Sequence, residues 1–279
     1  MIPEMSFFWI AVGCYGISAF SYIFGLIARK ESLLNLGMAL AAVGLLCHVT
    51  TVAIRWVVNG VAPFLEISEA LTTGMLIAVL IFLLIQFSAP RLKAMGVLVM
   101  PVCFALMGWA GTLIKDVGGT LPATVQSKWL WVHVVGATTG FSGVLTAGAL
   151  GLLFILKERK SGGIYDRIAD LRTLDDYGCR FIAGSFLMLG LMLVSGSLWY
   201  HQIKGSYWSW DPVEVWSLCT WLVYGVYLFL RFAMGWHNRR MAWFALLALG
   251  LMIISYWGMP FFKKDFHSVL NNEQNKSFR

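Results

Sequence analysis

Apolar runs of about twenty residues, the length needed to cross a bilayer as a helix, recur along the whole chain between short polar or basic connections. They place spans at 5–27, 33–54, 68–87, 94–114, 129–156, 181–200, 213–230 and 241–259. The expected fold class is therefore an all-α polytopic membrane protein with about eight transmembrane helices, built as one membrane domain over residues 1–279. The first run is long, lacks a basic segment before it, and flows into Arg29 and Lys30 rather than a small-residue cleavage site. It reads as a span and not as a cleaved signal.

Composition agrees with the pattern. With 59% hydrophobic and 13% charged residues, the chain has too little polar surface for a water-soluble body of its size, which excludes a soluble enzyme. The formal charge is +7. If Arg29 and Lys30 are cytoplasmic, so are Arg91, Lys93, Lys157, Arg159, Lys160, Arg167, Arg172, Arg180, Arg231, Arg239 and Arg240, which makes 13 of the 21 basic residues inner. Both termini then lie outside. This asymmetry accounts for the positive charge, and no long basic face suggests a nucleic-acid partner. The segment 162–177 is polar, with Ile164, Ile168, Leu171 and Leu174 at helical spacing, and is expected to lie on the inner interface. The five cysteines are dispersed, without the paired spacing of a zinc site, a thiol-exchange motif or a covalent haem attachment.

Tryptophan breaks the symmetry between the two sides. Trp9, Trp56, Trp109, Trp129, Trp131, Trp199, Trp208, Trp210, Trp216 and Trp257 fall at or near the outer side, against Trp236 and Trp243 inside. Interfacial belts populate both sides, so an aromatic excess on one side suggests a flat apolar ligand there. The densest cluster is GSYWSWDPVEVWSLCTW, residues 205–221. Asp211 is placed to cap the seventh helix, Pro212 to occupy its first position and Glu214 its third, a reciprocal capping arrangement. This rigid corner would present Trp208, Trp210 and Trp216 at the outer mouth as a porphyrin platform, although an interfacial anchor would use the same residues.

Five histidines are few enough to place one by one. His133 lies about one turn into helix five, above a ridge of Gly136, Ala137, Gly140, Gly143 and Ala147. His267 falls in the tail on the same outer side, and two neutral imidazoles from separate elements make a six-coordinate iron site without Cys or Met. His48 sits within helix two, where an ionisable residue is a functional candidate, either as a ligand to an embedded haem or as a polar packing residue. His201 ends helix six and is an alternative outer ligand, whereas His237 belongs to the inner loop GWHNRR. Acids test the alternative of an ion transporter. Glu66, Glu69, Asp116 and Glu214 all sit near span ends, and no paired broken helices appear in the pattern.

These residues together resemble the CcsA/ResC family of cytochrome c biogenesis proteins, part of a wider haem-handling group with a Trp-rich outer motif, the WWD domain. The resemblance rests on YWSWDPVEVWSLCTW from Tyr207 to Trp221, on LCHVTTVAIRW around His48, on SKWLWVHV around His133 and on DFHSV around His267. It implies a membrane haem-transport and haem-handling subunit of a cytochrome c synthase, holding haem b (iron protoporphyrin IX) against Trp208, Trp210, Asp211, Glu214 and Trp216. His133 and His267 would be the axial ligands there, and His48 the histidine of an inner-membrane haem site. The implied partners are a ResB-like protein, apocytochrome c with its CxxCH cysteines, thiol-reducing proteins and the membrane lipid. The implied location is the bacterial inner membrane, or alternatively a thylakoid, with the haem site on the outer side. Two departures stand out. Phe229 occupies the place of a family histidine in the run Leu228–Arg231, and Val213 stands where the family commonly has lysine. The competing expectation is a membrane b-type haem protein for electron transfer or regulation, without ligation to cytochrome c.

Overall fold

The computed structural model describes residues 3–60, 67–114, 127–160 and 162–255. Among these residues the chain forms eight α-helices and no strand. They are α1 (Pro3–Ile27), α2 (Glu31–Asn59), α3 (Ile67–Ser88), α4 (Gly96–Leu113), α5 (Lys128–Arg159), α6 (Leu171–Lys204), α7 (Pro212–Phe232) and α8 (Arg239–Ile253). Two 3₁₀ segments, Pro90–Met95 and Gly163–Arg167, lead into α4 and towards α6. The first seven spans are long and apolar enough to cross a membrane, the fourth of them running from Pro90 to Leu113. The described part of α8 has 15 residues.

The helices pack as two groups. In the first, α1 lies against α2 and α4, and α3 against α4 and α2; in the second, α5 lies against α6 and α8, with α7 between α6 and α8. Contact between α3 and α5 joins them, and there the Ser142 hydroxyl donates to the Gly74 carbonyl at 3.3 Å. Without water to drive association inside a bilayer, close packing has to come from small residues. The α5–α6 seam shows how. A Cβ on Gly136 would lie 2.8 Å from the Met188 carbonyl oxygen, and one on Gly143 would collide with the Ser185 hydroxyl.

Two ends of the bundle can be told apart by their chemistry. At one end, which we call the basic end, Lys93 pairs with Glu31 at 2.6 Å and Arg167 pairs with the same carboxylate at 3.5 Å. Arg231 is buried there between Asp175 and Asp176, and Arg239 pairs with Glu158. At the opposite end, which we call the corner end, Arg55 on α2 bonds Glu4 on α1 at 3.0 Å and Glu69 on α3 at 2.9 Å. Ser127, just before α5, donates to Gln202 near the end of α6 at 2.6 Å. The starts of α1, α3, α5 and α7 thus share an end with the finishes of α2, α4 and α6, the up-and-down order expected of consecutive spans.

The segment 162–177 differs from the separate surface helix expected of it. After the 3₁₀ turn, Asp170 caps α6 directly: its carboxylate accepts from the Thr173 N–H at 2.9 Å and from the Thr173 hydroxyl at 2.7 Å. These bonds favour the charged carboxylate and lower the Asp170 pKa. Ile168 and Leu174 are buried in the core, Ile164 and Leu171 pack half-buried against it, and residues 171–177 are the first turns of α6.

Candidate functional site

At the corner end, α6 finishes at Gly205, whose left-handed backbone (φ 76°) lets its N–H bond the His201 carbonyl at 2.9 Å. The chain then folds back on α6. The Ser197 hydroxyl donates to the Tyr207 carbonyl at 2.7 Å, and the Tyr207 ring stacks on His201 at 4.1 Å between centroids. The next helix starts as its cap residues dictate. Asp211 accepts from the Val213 N–H at 2.7 Å, with Pro212 at the first helical position. Glu214 does not complete the reciprocal bond to Asp211. It reaches further and accepts from the Ser209 N–H at 2.9 Å, while the Ser209 hydroxyl accepts from the Asp211 N–H. One carboxylate and one hydroxyl therefore lace the corner to the first turn of α7.

What this lacing holds is unusual. Trp210 has a left-handed backbone (φ 60°) and is 75% exposed. A bulky residue in that region is strained, and a large exposed indole gains nothing from the core, so the observation points to a surface that something else covers. Trp208 meets Trp210 edge to face at 6.1 Å, and its indole Nε1 is buried without a hydrogen-bond partner. Trp216, one turn into α7, is also exposed. Trp56 and Trp131 meet at 5.1 Å between the ends of α2 and α5, adding a second aromatic pair at this end.

His133, near the start of α5, faces the neighbouring stretch of α6. Its Nδ1 is 2.9 Å from the Met192 carbonyl oxygen, and its ring is 6.3 Å from that of Trp199. A carbonyl can only accept, so Nδ1 carries the hydrogen, and in the neutral ring Nε2 keeps the lone pair. A metal-binding imidazole is commonly set in this way, by donating its other N–H to a carbonyl. Met192, Gly196 and Trp199 lie against His133, while Ser197 and His201 contact the corner, so one stretch of α6 positions both.

His48 is built differently. It is completely enclosed, with Nδ1 3.1 Å from the Tyr15 hydroxyl and the ring also against the Thr72 backbone. A phenol can donate or accept, so Tyr15 does not settle which nitrogen holds the hydrogen. Phe229 does not face His48: it is 59% exposed on α7, which packs on α6 and α8, whereas α2 packs on α1 and α3. His267 and Trp257 lie outside the described residues. Among the sequence-selected residues, the structure thus gathers Trp208, Trp210, Asp211, Glu214, Trp216 and His133 at one end and leaves His48 inside the first helix group. Met192 and Gly196, which with Trp199 flank the His133 ring, carry no sequence signal beyond ordinary span residues, and Trp199 stood out only as one of the outer tryptophans.

The model of the family described as cytochrome C assembly protein matches residues 4–267. The chain belongs to that family. Similar proteins include the cytochrome c biogenesis protein CcsA of Guillardia theta, 26% identical over 90% of this chain and 91% of its own length. CcsA of Parasynechococcus marenigrum is 28% identical over 82% of this chain and 84% of its own. In fold, the chain is similar to a solved structure named cytochrome c haem lyase CcmF, with a TM-score of 0.69 at 18% identity. That match covers 91% of this chain and 46% of the solved one, so the chain spans under half the length of that protein.

Proposed function

We propose that this chain is the haem-handling subunit of a cytochrome c synthase, holding haem b as its substrate at the corner end and presenting it to apocytochrome c. Family membership supports a role in cytochrome c biogenesis. The observation that carries the site is the His133 imidazole held by the Met192 carbonyl beside a laced corner of indoles. His133 is one axial ligand, and the resemblance assigns the other to His267. Trp208, Trp210 and Trp216 supply the platform, and Asp211 and Glu214 keep it rigid. The corner end faces the outer side of the membrane, because the opposite end collects the basic residues.

The chemistry asked of the assembly is an addition. Each of two cysteine thiols of the acceptor adds across a haem vinyl group: a carbon–sulfur bond forms, the double bond becomes single, and the thiol hydrogen ends on the other vinyl carbon. No net oxidation occurs. The chain would contribute orientation: His133, with the His267 that the resemblance supplies, and a flat aromatic floor would restrict the angle at which the vinyl edge meets the thiols. A ResB-like membrane protein and thiol-reducing proteins complete the assembly, in a bacterial inner membrane or a thylakoid.

His48 enters this reading as the candidate for a second, inner haem position, supported by the full enclosure of its ring inside a span. Phe229 offers no second ligand for it.

Co-expression with a ResB-like partner and an apocytochrome carrying CxxCH tests the proposal. The expected result is covalently haem-stained cytochrome that depends on both membrane proteins. Stable haem with quinol-dependent redox turnover and no covalent product would instead identify an electron-transfer protein.

A further inference from the structure

The seam between α5 and α6 contains a feature that packing alone does not require. A Cβ on Gly196 would lie 2.7 Å from Nδ1 of His133 and 3.0 Å from its Cε1. The first is closer than real Cβ contacts come, and the second is tighter than most of them. The bare α-carbon of Gly196 is therefore the space that the imidazole occupies. Three residues further along α5, Gly136 brings the helices together, since a Cβ there would meet the Met188 carbonyl at 2.8 Å and the Met192 N–H nitrogen at 3.0 Å. One glycine sets the approach of the helices and the other admits the ring.

The consequence is chemical. A carbonyl oxygen has two lone pairs, and the Ser195 hydroxyl, 3.2 Å from the Met192 oxygen, makes its shorter bond to Leu191 at 2.6 Å, so Met192 can serve the helical bond to residue 196 and still accept from His133. The ring reaches that carbonyl at 2.9 Å, and Trp199, one turn beyond Gly196, flanks it at 6.3 Å. With a methyl group at 196 the imidazole has to withdraw, and Nδ1 loses the Met192 carbonyl that fixes its hydrogen. Free histidine favours neither the geometry nor the tautomer that this pocket imposes.

We propose that Gly196 is a positioning residue for His133, selecting the Nδ1–H tautomer through the Met192 carbonyl so that Nε2 is presented as an iron ligand. The second half of this statement rests on the proposed haem site; the first half concerns the apoprotein alone. Hydrogen bonding of the distal N–H to a carbonyl also raises ligand basicity, so the same contact strengthens the donor.

The test uses the full-length chain in detergent, with ¹⁵N-labelled histidine and the His133 signal assigned by its loss in His133→Ala. In the haem-free wild type, His133 is expected to be protonated at Nδ1; protonation at Nε2 overturns the inference without any variant. Gly196→Ala is expected to lose that tautomer preference and to retain haem about 10- to 100-fold more weakly, the usual effect of removing a metal ligand's hydrogen-bond partner. Added imidazole should recover part of the haem spectrum. Gly184→Ala, on the same helix with open space at its Cβ, is expected to match the wild type in both measurements. An unchanged tautomer in folded Gly196→Ala also overturns the inference. If the tautomer responds as expected while His133→Ala leaves the haem spectrum unaltered, the positioning role stands and the ligand assignment falls.

Discussion

Two histidines that look alike in the sequence are held in different ways. The His133 Nδ1 faces the Met192 carbonyl of the next helix, whereas the His48 Nδ1 faces the Tyr15 hydroxyl inside the first helix group. That difference, together with the exposed position of Phe229, changes what a histidine there can achieve. Phe229→His places an imidazole on the exposed face of α7 and not opposite His48, so intramembrane haem content is expected to stay at the wild-type level. Pyridine haemochrome measurement on purified protein checks this; a clear gain in bound haem would show that α2 and α7 meet in a way the structure does not hold. The candidacy of His133 was legible because an imidazole near a span end, above a ridge of glycines, is rare. Met192 and Gly196 were not legible, because a backbone carbonyl leaves no mark on composition and a span glycine reads as ordinary packing.

Among the elements, the corner illustrates how far local rules reach. Asp211, Pro212 and Glu214 announced the start of α7, and the helix begins at Pro212 as they require. The destination of Glu214 was not predictable: the capping rule sends it to Asp211, but the left-handed backbone at Trp210 brings the Ser209 N–H within its reach. Glu214→Ala removes that bond and is expected to loosen the corner by about 1 kcal/mol, roughly a fivefold rise in the opened population. Limited proteolysis across residues 205–211 measures it, and cleavage at the wild-type rate would show that the lacing is not held by Glu214. A larger effect belongs to the first helix group. Arg55 is 11% exposed and neutralises two carboxylates from two other helices. Arg55→Met leaves Glu4 and Glu69 buried without it, and is expected to cost about 3–5 kcal/mol, as breaking a buried ion pair does. Thermal unfolding in detergent should show the loss and a partial recovery on adding Glu69→Gln; equal stability of Arg55→Met and wild type would contradict the assigned role. The sequence placed these groups at span ends but gave no sign that they meet, since Glu4 and Arg55 are 51 residues apart.

At the scale of the whole molecule, the lengths of the apolar runs were enough to find the helices, because a bilayer sets those lengths. They were not enough to find the start of α6, where a capped and partly polar segment extends the helix beyond its apolar run. The separation of a basic end from a corner end leads to a direct expectation: single cysteines at Arg159 and Gly205 should be labelled from opposite sides of the membrane, and same-side labelling would overturn the up-and-down order. The central claim is that the corner end presents haem to apocytochrome c through His133. The most direct measurement is covalent haem staining of an acceptor cytochrome in cells whose own synthase subunit is replaced by this chain or by His133→Ala, with the level of each membrane protein checked by immunoblot. The account predicts stained cytochrome with the wild type, a severe loss with His133→Ala at equal protein level, and partial return when imidazole is supplied; full staining with His133→Ala would contradict it.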